Sequence, residues 1–353
     1  MVRKQTNMIK YIIKRILMMI PMLMIVLMLT YFLSIAMVIN PATNDMAKNP
    51  EVLEAELERI GYYDPWFIQI LRYFYNLFTG NWGDSYRVIP GMPIIDIVSQ
   101  VFPKTIELMI IPLILSPILA VKLGIISSTH KDKKKDIGIR TIAILGAGFP
   151  VFWIGSIIRS FFSVYLPEFT LGSFDIPARF ANSSGWDIDV PDGAPTTGFR
   201  LIDCIIYNDQ VFLWDTILHL ILPALCVTFV SLATIARQTR SSMLDVLDQD
   251  FIRTARAKGV KEKDVINKHA LRNALIPVSN LIITGTTTAL LGSFFIEVTF
   301  SYNGYGRYMV TAILYGDYLL INGLLVIGTI IILIGTLITD VMYTIIDPRI
   351  TFR

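Results

Sequence analysis

Long apolar runs and short polar ones alternate along the chain. Six runs approach or exceed the roughly 18–20 residues that cross a hydrocarbon core about 30 Å thick. They cover Ile16–Ile39, Ile106–Ile126, Thr141–Leu166, Phe212–Ile235, Val278–Val298 and Leu319–Ile346. The ten-residue alternation of a barrel strand is absent. The pattern predicts an all-α polytopic membrane protein with six transmembrane helices. The third run holds Gly146, Gly148 and Pro150, which membrane helices tolerate because neighbouring groups re-satisfy the freed backbone. The sixth is long enough to tilt or protrude. Residues 1–39 read as a basic amino terminus and a retained first span, because the apolar run is too long for a signal peptide and no small-residue cleavage site follows it.

The polar segments differ in character. Residues 40–105 carry Asp45, Glu51, Glu54, Glu56, Glu58, Asp64, Asp84 and Asp96 around the apolar stretch WFIQILRYFYNLF, which predicts a small folded subdomain after the first helix. The segment between the third and fourth runs is rich in Gly, Pro, Asp and Ser and predicts loop. It includes Asn182-Ser-Ser, a glycosylation triplet of a kind common by chance. Residues 236–277 are different again. Leu244, Leu247, Phe251 and Ala255 step by three and four, one face of an α-helix. Gly259 stands where a helix C′ residue takes the left-handed backbone that costs glycine least. A second short helix is expected over Glu262–Asn273, with Val265, Ile266 and His269 on one side and Pro277 opening the next span.

Composition supports the membrane assignment. The 353 residues are 54% hydrophobic and 17% charged, against about a quarter charged in a soluble domain, and mean hydropathy is +0.58. Lys and Arg set the orientation. The amino terminus, the HKDKKKDIGIR loop, residues 236–277 and the tail carry 21 of them, whereas the opposite loops carry eight. Both termini and the 236–277 stretch are therefore expected on the cytoplasmic side, and the 40–105 subdomain outside. Cys204 and Cys226 give neither metal spacing nor a disulfide framework.

Two readings of residues 236–277 follow from the pattern alone. One is an amphipathic helix pair resting on anionic lipid. The other is a docking element that takes force from a soluble partner. The residues carry a resemblance that bears on the choice. DFIRTARAKGVKEKDVINKHALRNALIPV resembles the cytoplasmic signature loop of ATP-binding-cassette importer permeases, most closely the dipeptide/oligopeptide/nickel permease family. The matching positions are Asp250, Phe251, Ala255, Ala257, Gly259, Ile266, His269, Leu271, Asn273 and Pro277. PKTIEL, FPVFWIG, HLILPAL, RQTRSSMLDVL, VTFSYNGYGR, GDYLLINGLL and the closing DPRI are similar to the first, amino-terminal-type permease of such systems. One departure is Lys261, where many relatives have a serine able to cap the second helix.

The resemblance implies a permease core over residues 106–353 and a coupling loop over 236–277, in which Asp250, Phe251, Ala255, Ala257, Gly259, Ile266, His269 and Leu271 engage an ATPase. It implies a second homologous permease, two cytoplasmic ATP-binding subunits and an extracellular solute-binding protein as partners, besides membrane lipid; no nucleic-acid partner is expected. No cofactor is expected on this chain, and ATP and Mg belong to the partner subunits, since the chain has no G-x-x-x-x-G-K-[ST] loop. The implied substrates are peptides or similar small solutes, with nickel chelates or oligosaccharides as alternatives. The segment from Glu51 to Arg87 is expected to cover the outer mouth and meet the delivered ligand or its binding protein.

Other single residues admit more than one role. Arg159, inside the third run, either snorkels to headgroups or lines the pathway. Lys122, near the end of the second, is expected to snorkel. Glu297 and Arg307 flank VTFSYNGYG and suit an outer gate or a mutual ion pair. His269 is expected to make a structural hydrogen bond. The first-span methionines (Met18, Met19, Met22, Met24, Met28) are spread around the helix and suit packing better than soft-metal binding. The competing classes are a self-contained channel or secondary transporter, which would usually show inverted repeats, and a membrane enzyme. No repeat is detectable, and His130, His219 and His269 are too scattered for an enzyme site.

Overall fold

The computed structural model describes residues 2–39, 62–166 and 196–346, with residues 51, 54, 57 and 58. Asn182, most of the loop around it, much of the acidic stretch before residue 62 and the closing DPRI lie outside the described residues. The described residues are helical, with one isolated bridge between Asp84 and Pro93. The elements are α1 (Val2–Ile39), α2 (Trp66–Phe78), α3 (Ile94–Thr129), α4 (Lys134–Gly148), α5 (Val151–Ser160), α6 (Arg200–Ile206), α7 (Gln210–Leu247), α8 (Asp250–Ala257), α9 (Glu262–Asp264), α10 (Leu271–Gly292), α11 (Phe294–Phe300), α12 (Tyr305–Tyr315) and α13 (Tyr318–Ile346).

Among the described residues four helices, α1, α3, α7 and α13, are each long and apolar enough to cross a membrane. Two bent pairs raise the number to six if each pair is one span. The chain is an all-α polytopic membrane protein. The third run is not the continuous span expected over 141–166: α4 and α5 meet at 105°. Pro150 explains the break. Its ring excludes the residue before it from helical backbone, and Phe149 is extended, at φ −109° and ψ 145°. The chain then continues through a π-helical turn, Phe161–Tyr165. The fifth run is likewise divided, between α10 and α11. The helix that carries the second run begins ahead of it, since α3 starts at Ile94.

Two compact units make up the chain, Met1–Lys104 with Asn303–Leu337, and Thr105–Tyr302 with Ile338–Arg353. In the first, Ile94, Ile97, Val98 and Val101 pack on Ala312, Leu320, Ile321 and Leu324. Asp317, fully buried, fastens the loop ahead of α3 to the start of α13. Its carboxylate accepts from the Ser85 hydroxyl at 2.6 Å and from the amides of Tyr86, Arg87 and Val88 at 3.1–3.2 Å. The Leu320 amide donates to its other oxygen at 3.2 Å, which caps α13.

The second unit is built on α7. Leu220, Leu222, Cys226 and Val227 of α7 pack on Leu108, Met109, Ile154, Ile296, Phe300 and Tyr302. Further along, the small side chains of Ala120 and Ala236 cluster with Ile235 and Val278. Lipid tails are as apolar as leucine, so membrane helices associate through close backbone approach at small residues. Gly124 shows how close that approach is. A β-carbon there would lie 2.4 Å from Thr239 Cβ, a distance no side chain tolerates. Cys204 and Cys226 are both buried and free.

Candidate functional site

The polar stretch between α7 and α10 is where the sequence departs furthest from its apolar surroundings. α7 ends at Leu247, and Gln249 is extended at φ −76° and ψ 151° before α8 begins. That interruption resets the helical phase. The expected face of Leu244, Leu247, Phe251 and Ala255 is therefore not one face. Ile252 (0% exposed) and Ala255 turn inward, while Phe251 is 44% exposed. Asp250 and Ala257 are exposed beside it.

α8 ends in a Schellman arrangement. The Gly259 amide donates to Arg256 O at 2.9 Å and the Val260 amide to Ala255 O at 3.2 Å. Gly259 sits at φ +76° with no atom within 4 Å of where a β-carbon would stand, so backbone conformation and not space requires glycine there. A two-pronged ion pair straddles the bend. Arg256 Nε donates to Glu262 Oε2 at 3.1 Å and its Nη2 to Oε1 at 2.8 Å. The guanidinium holds the Glu262 carboxyl below its ordinary range.

Beyond the bend the chain does not form the separate helix expected over Glu262–Asn273. α9 passes into a π-helical turn, Val265–Ala270, and then directly into α10, which carries Pro277 inside it rather than at its start. Membrane helices accept such a proline. Lys261 precedes α9 without a side-chain cap; its carbonyl accepts from the Asp264 and Val265 amides. Val265, Ala270 and Ala274 are buried with Met243, Ile252 and Ala255, and Ile125, Ile266 and Leu271 pack against them. His269 is exposed. The resemblance-derived set thus divides in two. Ala255, Ile266 and Leu271 glue the bend to the helices behind it, whereas Asp250, Phe251, Ala257, Gly259 and His269 form its free surface.

The root of the stretch is held by a residue the sequence did not single out. Asp136, 0% exposed, lies in the basic loop ahead of the third apolar run. Arg240 of α7 donates to both its oxygens, at 2.7 and 2.8 Å. The Asp132 amide adds a bond at 2.9 Å, and the Ser127 hydroxyl another. The Arg240 guanidinium holds the Asp136 carboxyl well below the usual carboxylate range.

The pathway candidates take up defined places. Arg159 Nη1 donates to Thr299 O at 2.5 Å, which ties α5 to α11. Glu297 is fully buried and accepts from Thr105 Oγ1 at 2.7 Å and Ser293 Oγ at 3.0 Å. Arg307 belongs to the other unit and donates to Asn303 Oδ1 at 2.7 Å. Glu107, inside PKTIEL, was also missed. It is buried and accepts from the Leu201 amide at 2.6 Å and the Tyr302 hydroxyl at 3.4 Å. An intramembrane acid in an apolar run is the signal that could have found it. Near Ser293 a largely apolar cavity of about 370 Å³ is lined by Met109, Ser116, Val227, Thr234 and Gly285 among others.

Comparison with known proteins fits this geometry. Residues 120–352 match the family described as binding-protein-dependent transport system inner membrane component, and residues 8–109 match its amino-terminal membrane component. The chain is 34% identical over 349 residues to the oligopeptide transport system permease protein AppB of Bacillus subtilis, covering 98% of this chain and all of that one. It is 36% identical over 351 residues to the dipeptide transport system permease protein DppB of Alkalihalophilus pseudofirmus, covering 98% of this chain and all of that one. To DppB of Escherichia coli it is 32% identical over 306 residues, 86% and 87% of the two chains. The family match embraces both the bend at Gly259 and the helices that carry it: this chain belongs to the inner membrane components of binding-protein-dependent transport systems.

Proposed function

We propose that the chain is one of two permease subunits of an ATP-driven importer for peptides, with both termini and the α7–α10 bend on the cytoplasmic side. What supports the substrate class is the relatives, which are named for oligopeptide and dipeptide transport. What supports the coupling role, above all, is the bend itself. A short helix exposes Phe251 and Ala257, ends at a left-handed Gly259, and is strutted by Arg256 and Glu262. A resting amphipathic helix has no need of a fixed angle; a lever does.

In this reading a cytoplasmic ATPase receives Phe251 and its exposed neighbours. Closure of two ATPases around ATP and Mg displaces the bend as a rigid body. The buried side of the bend, Ile252, Ala255 and Val265, transmits that displacement to α7 and α10, and the spans alternate access to a peptide delivered by an external binding protein. Purification through a tag on this chain tests the assembly. Co-elution of a second permease and two ATP-binding proteins is expected, and Phe251→Asp should lose the ATP-binding proteins while the chain remains in the membrane. A chain that elutes alone and moves dipeptides unaided into vesicles would end the proposal.

A further inference from the structure

The cavity beside Ser293 lies wholly within the second unit, among α3, α5, α7, α10 and α11. Its volume of about 370 Å³ is at the small end of ligand sites, which run from roughly 300 to 1,000 Å³. Among the described residues that line it, none is charged. Leu113, Val227, Leu281 and Ala289 are typical of its aliphatic wall, which six serines and threonines interrupt. Glu297, one turn beyond Ser293, is committed to Ser293 and Thr105.

The six hydroxyls divide into two sets. In a helix, serine and threonine commonly return the hydroxyl to a carbonyl three or four residues back. Thr286, Thr288 and Ser293 do so at 2.8–3.1 Å, as do Thr216 and Thr239 elsewhere on α7. Ser116 of α3 and Ser231 and Thr234 of α7 line the cavity and make no hydrogen bond among the described residues. Ser116 is only 3% exposed, so bulk water does not satisfy it. Pro117 follows it and has no N–H, which leaves the Leu113 carbonyl without its helical donor.

Hydrogen-bonding capacity is therefore unspent on an otherwise aliphatic wall. Water alone fills such a space poorly, because a buried water needs about two to four polar partners and most of this wall offers none. A free peptide fits poorly too, since its charged termini would be buried without a counter-charge. An apolar chain that ends in one neutral polar group meets both parts of the wall.

We propose that the cavity binds a neutral single-chain amphiphile whose head is a hydroxyl. The head meets Ser116, Ser231 and Thr234, and the chain lies against Leu113, Val227, Leu281 and Ala289. Because α7 and α10 both supply wall and carry the polar stretch between them, an occupant ties those two helices together. The site goes beyond peptide transport and does not depend on it.

Photolabelling of the purified full complex with a diazirine-bearing octanol tests this, with adducts mapped by mass spectrometry. Adducts on the lining residues are expected several-fold above those on exposed α1 residues such as Leu17 and Leu29, and excess unlabelled octanol should remove them. Octanoate, ionised at about pH 8, should not compete at the same concentration. Gly285→Leu fills the cavity, since Gly285 lines it and a β-carbon there meets nothing within 4 Å. That substitution should lower the labelling several-fold. Ser116→Ala removes a single oxygen and keeps the test open should the larger change disturb folding; it should weaken octanol competition several-fold. Labelling no denser on the lining residues than on α1 would overturn the proposal. So would octanoate competing as well as octanol, or labelling and competition indifferent to both substitutions.

Discussion

Two arginine–carboxylate forks hold the polar stretch, one at its root and one at its bend, and their chemistry is the same. Arg240 grips Asp136 with two bonds of 2.7–2.8 Å, and Arg256 grips Glu262 with two of 2.8–3.1 Å. Their surroundings differ. The root pair places a carboxylate with no exposure against a guanidinium side chain that is 20% exposed, while the bend pair is 43% and 57% exposed. Burial raises the cost of breaking a pair, because the abandoned partner stays desolvated. Exposure lowers it, because water and salt take over. The root fork is therefore a stability element, and the bend fork can only set an angle.

The largest effect tests the root. Arg240→Ala leaves the Asp136 carboxylate buried without its main counter-charge, and a loss of about 3–5 kcal/mol is expected. Thermal unfolding of the reconstituted complex reads this. The paired change Asp136→Leu with Arg240→Met should recover most of it. A single variant as stable as the parent would break the distinction between the forks. The same pair carries a pH signature. The folded Asp136 carboxyl titrates below its unfolded value, so its contribution is present above about pH 4 and is lost as pH falls further toward the depressed value. Between pH 5 and 8 the Asp136 contribution should be fully present and constant, and a change of stability with pH in that window traceable to Asp136 would contradict the assignment.

The smaller effect sharpens the comparison. Arg256→Ala or Glu262→Ala should change stability by less than about 1 kcal/mol, yet lower the peptide imported per ATP hydrolysed. The exchange Arg256→Glu with Glu262→Arg should restore that ratio, and high salt should lower it in the parent. Unchanged coupling in both single variants would leave the fork without a role.

How much of this was legible in the sequence depended on the range of the interaction. The Gly259 bend was legible, because a helix C′ glycine is a local signal, carried by a few neighbouring residues. Pro150 was visible too, but one proline gives a break without its angle, and neighbours in a membrane bundle decide whether the helix kinks or folds over. Phe251 was placed on the wrong face, since the periodicity ran on through Asp248 and Gln249, where the backbone in fact leaves the helix. Asp136 was hidden among five basic residues of its loop, and its partner Arg240 stands 104 positions away. Nothing periodic connects them. Glu107 and Asp317 were hidden similarly, as their hydrogen-bond partners come from distant segments or from turns, while Glu297 was singled out but its partners Thr105 and Ser293 were not.

If the bend is a rigid lever whose angle carries work, Gly259 is the residue on which that angle depends. At φ +76° a β-branched side chain costs about 1–3 kcal/mol of local strain, while asparagine tolerates that backbone better. The measurement is peptide imported per ATP hydrolysed in reconstituted complexes of the parent, Gly259→Val and Gly259→Asn. Normal membrane insertion is expected for all three, with a large loss of the ratio or of the bound ATPases for Gly259→Val and a smaller loss for Gly259→Asn. Gly259→Val complexes that import at the parental ratio would contradict the lever, and would return the stretch to a helix resting on lipid.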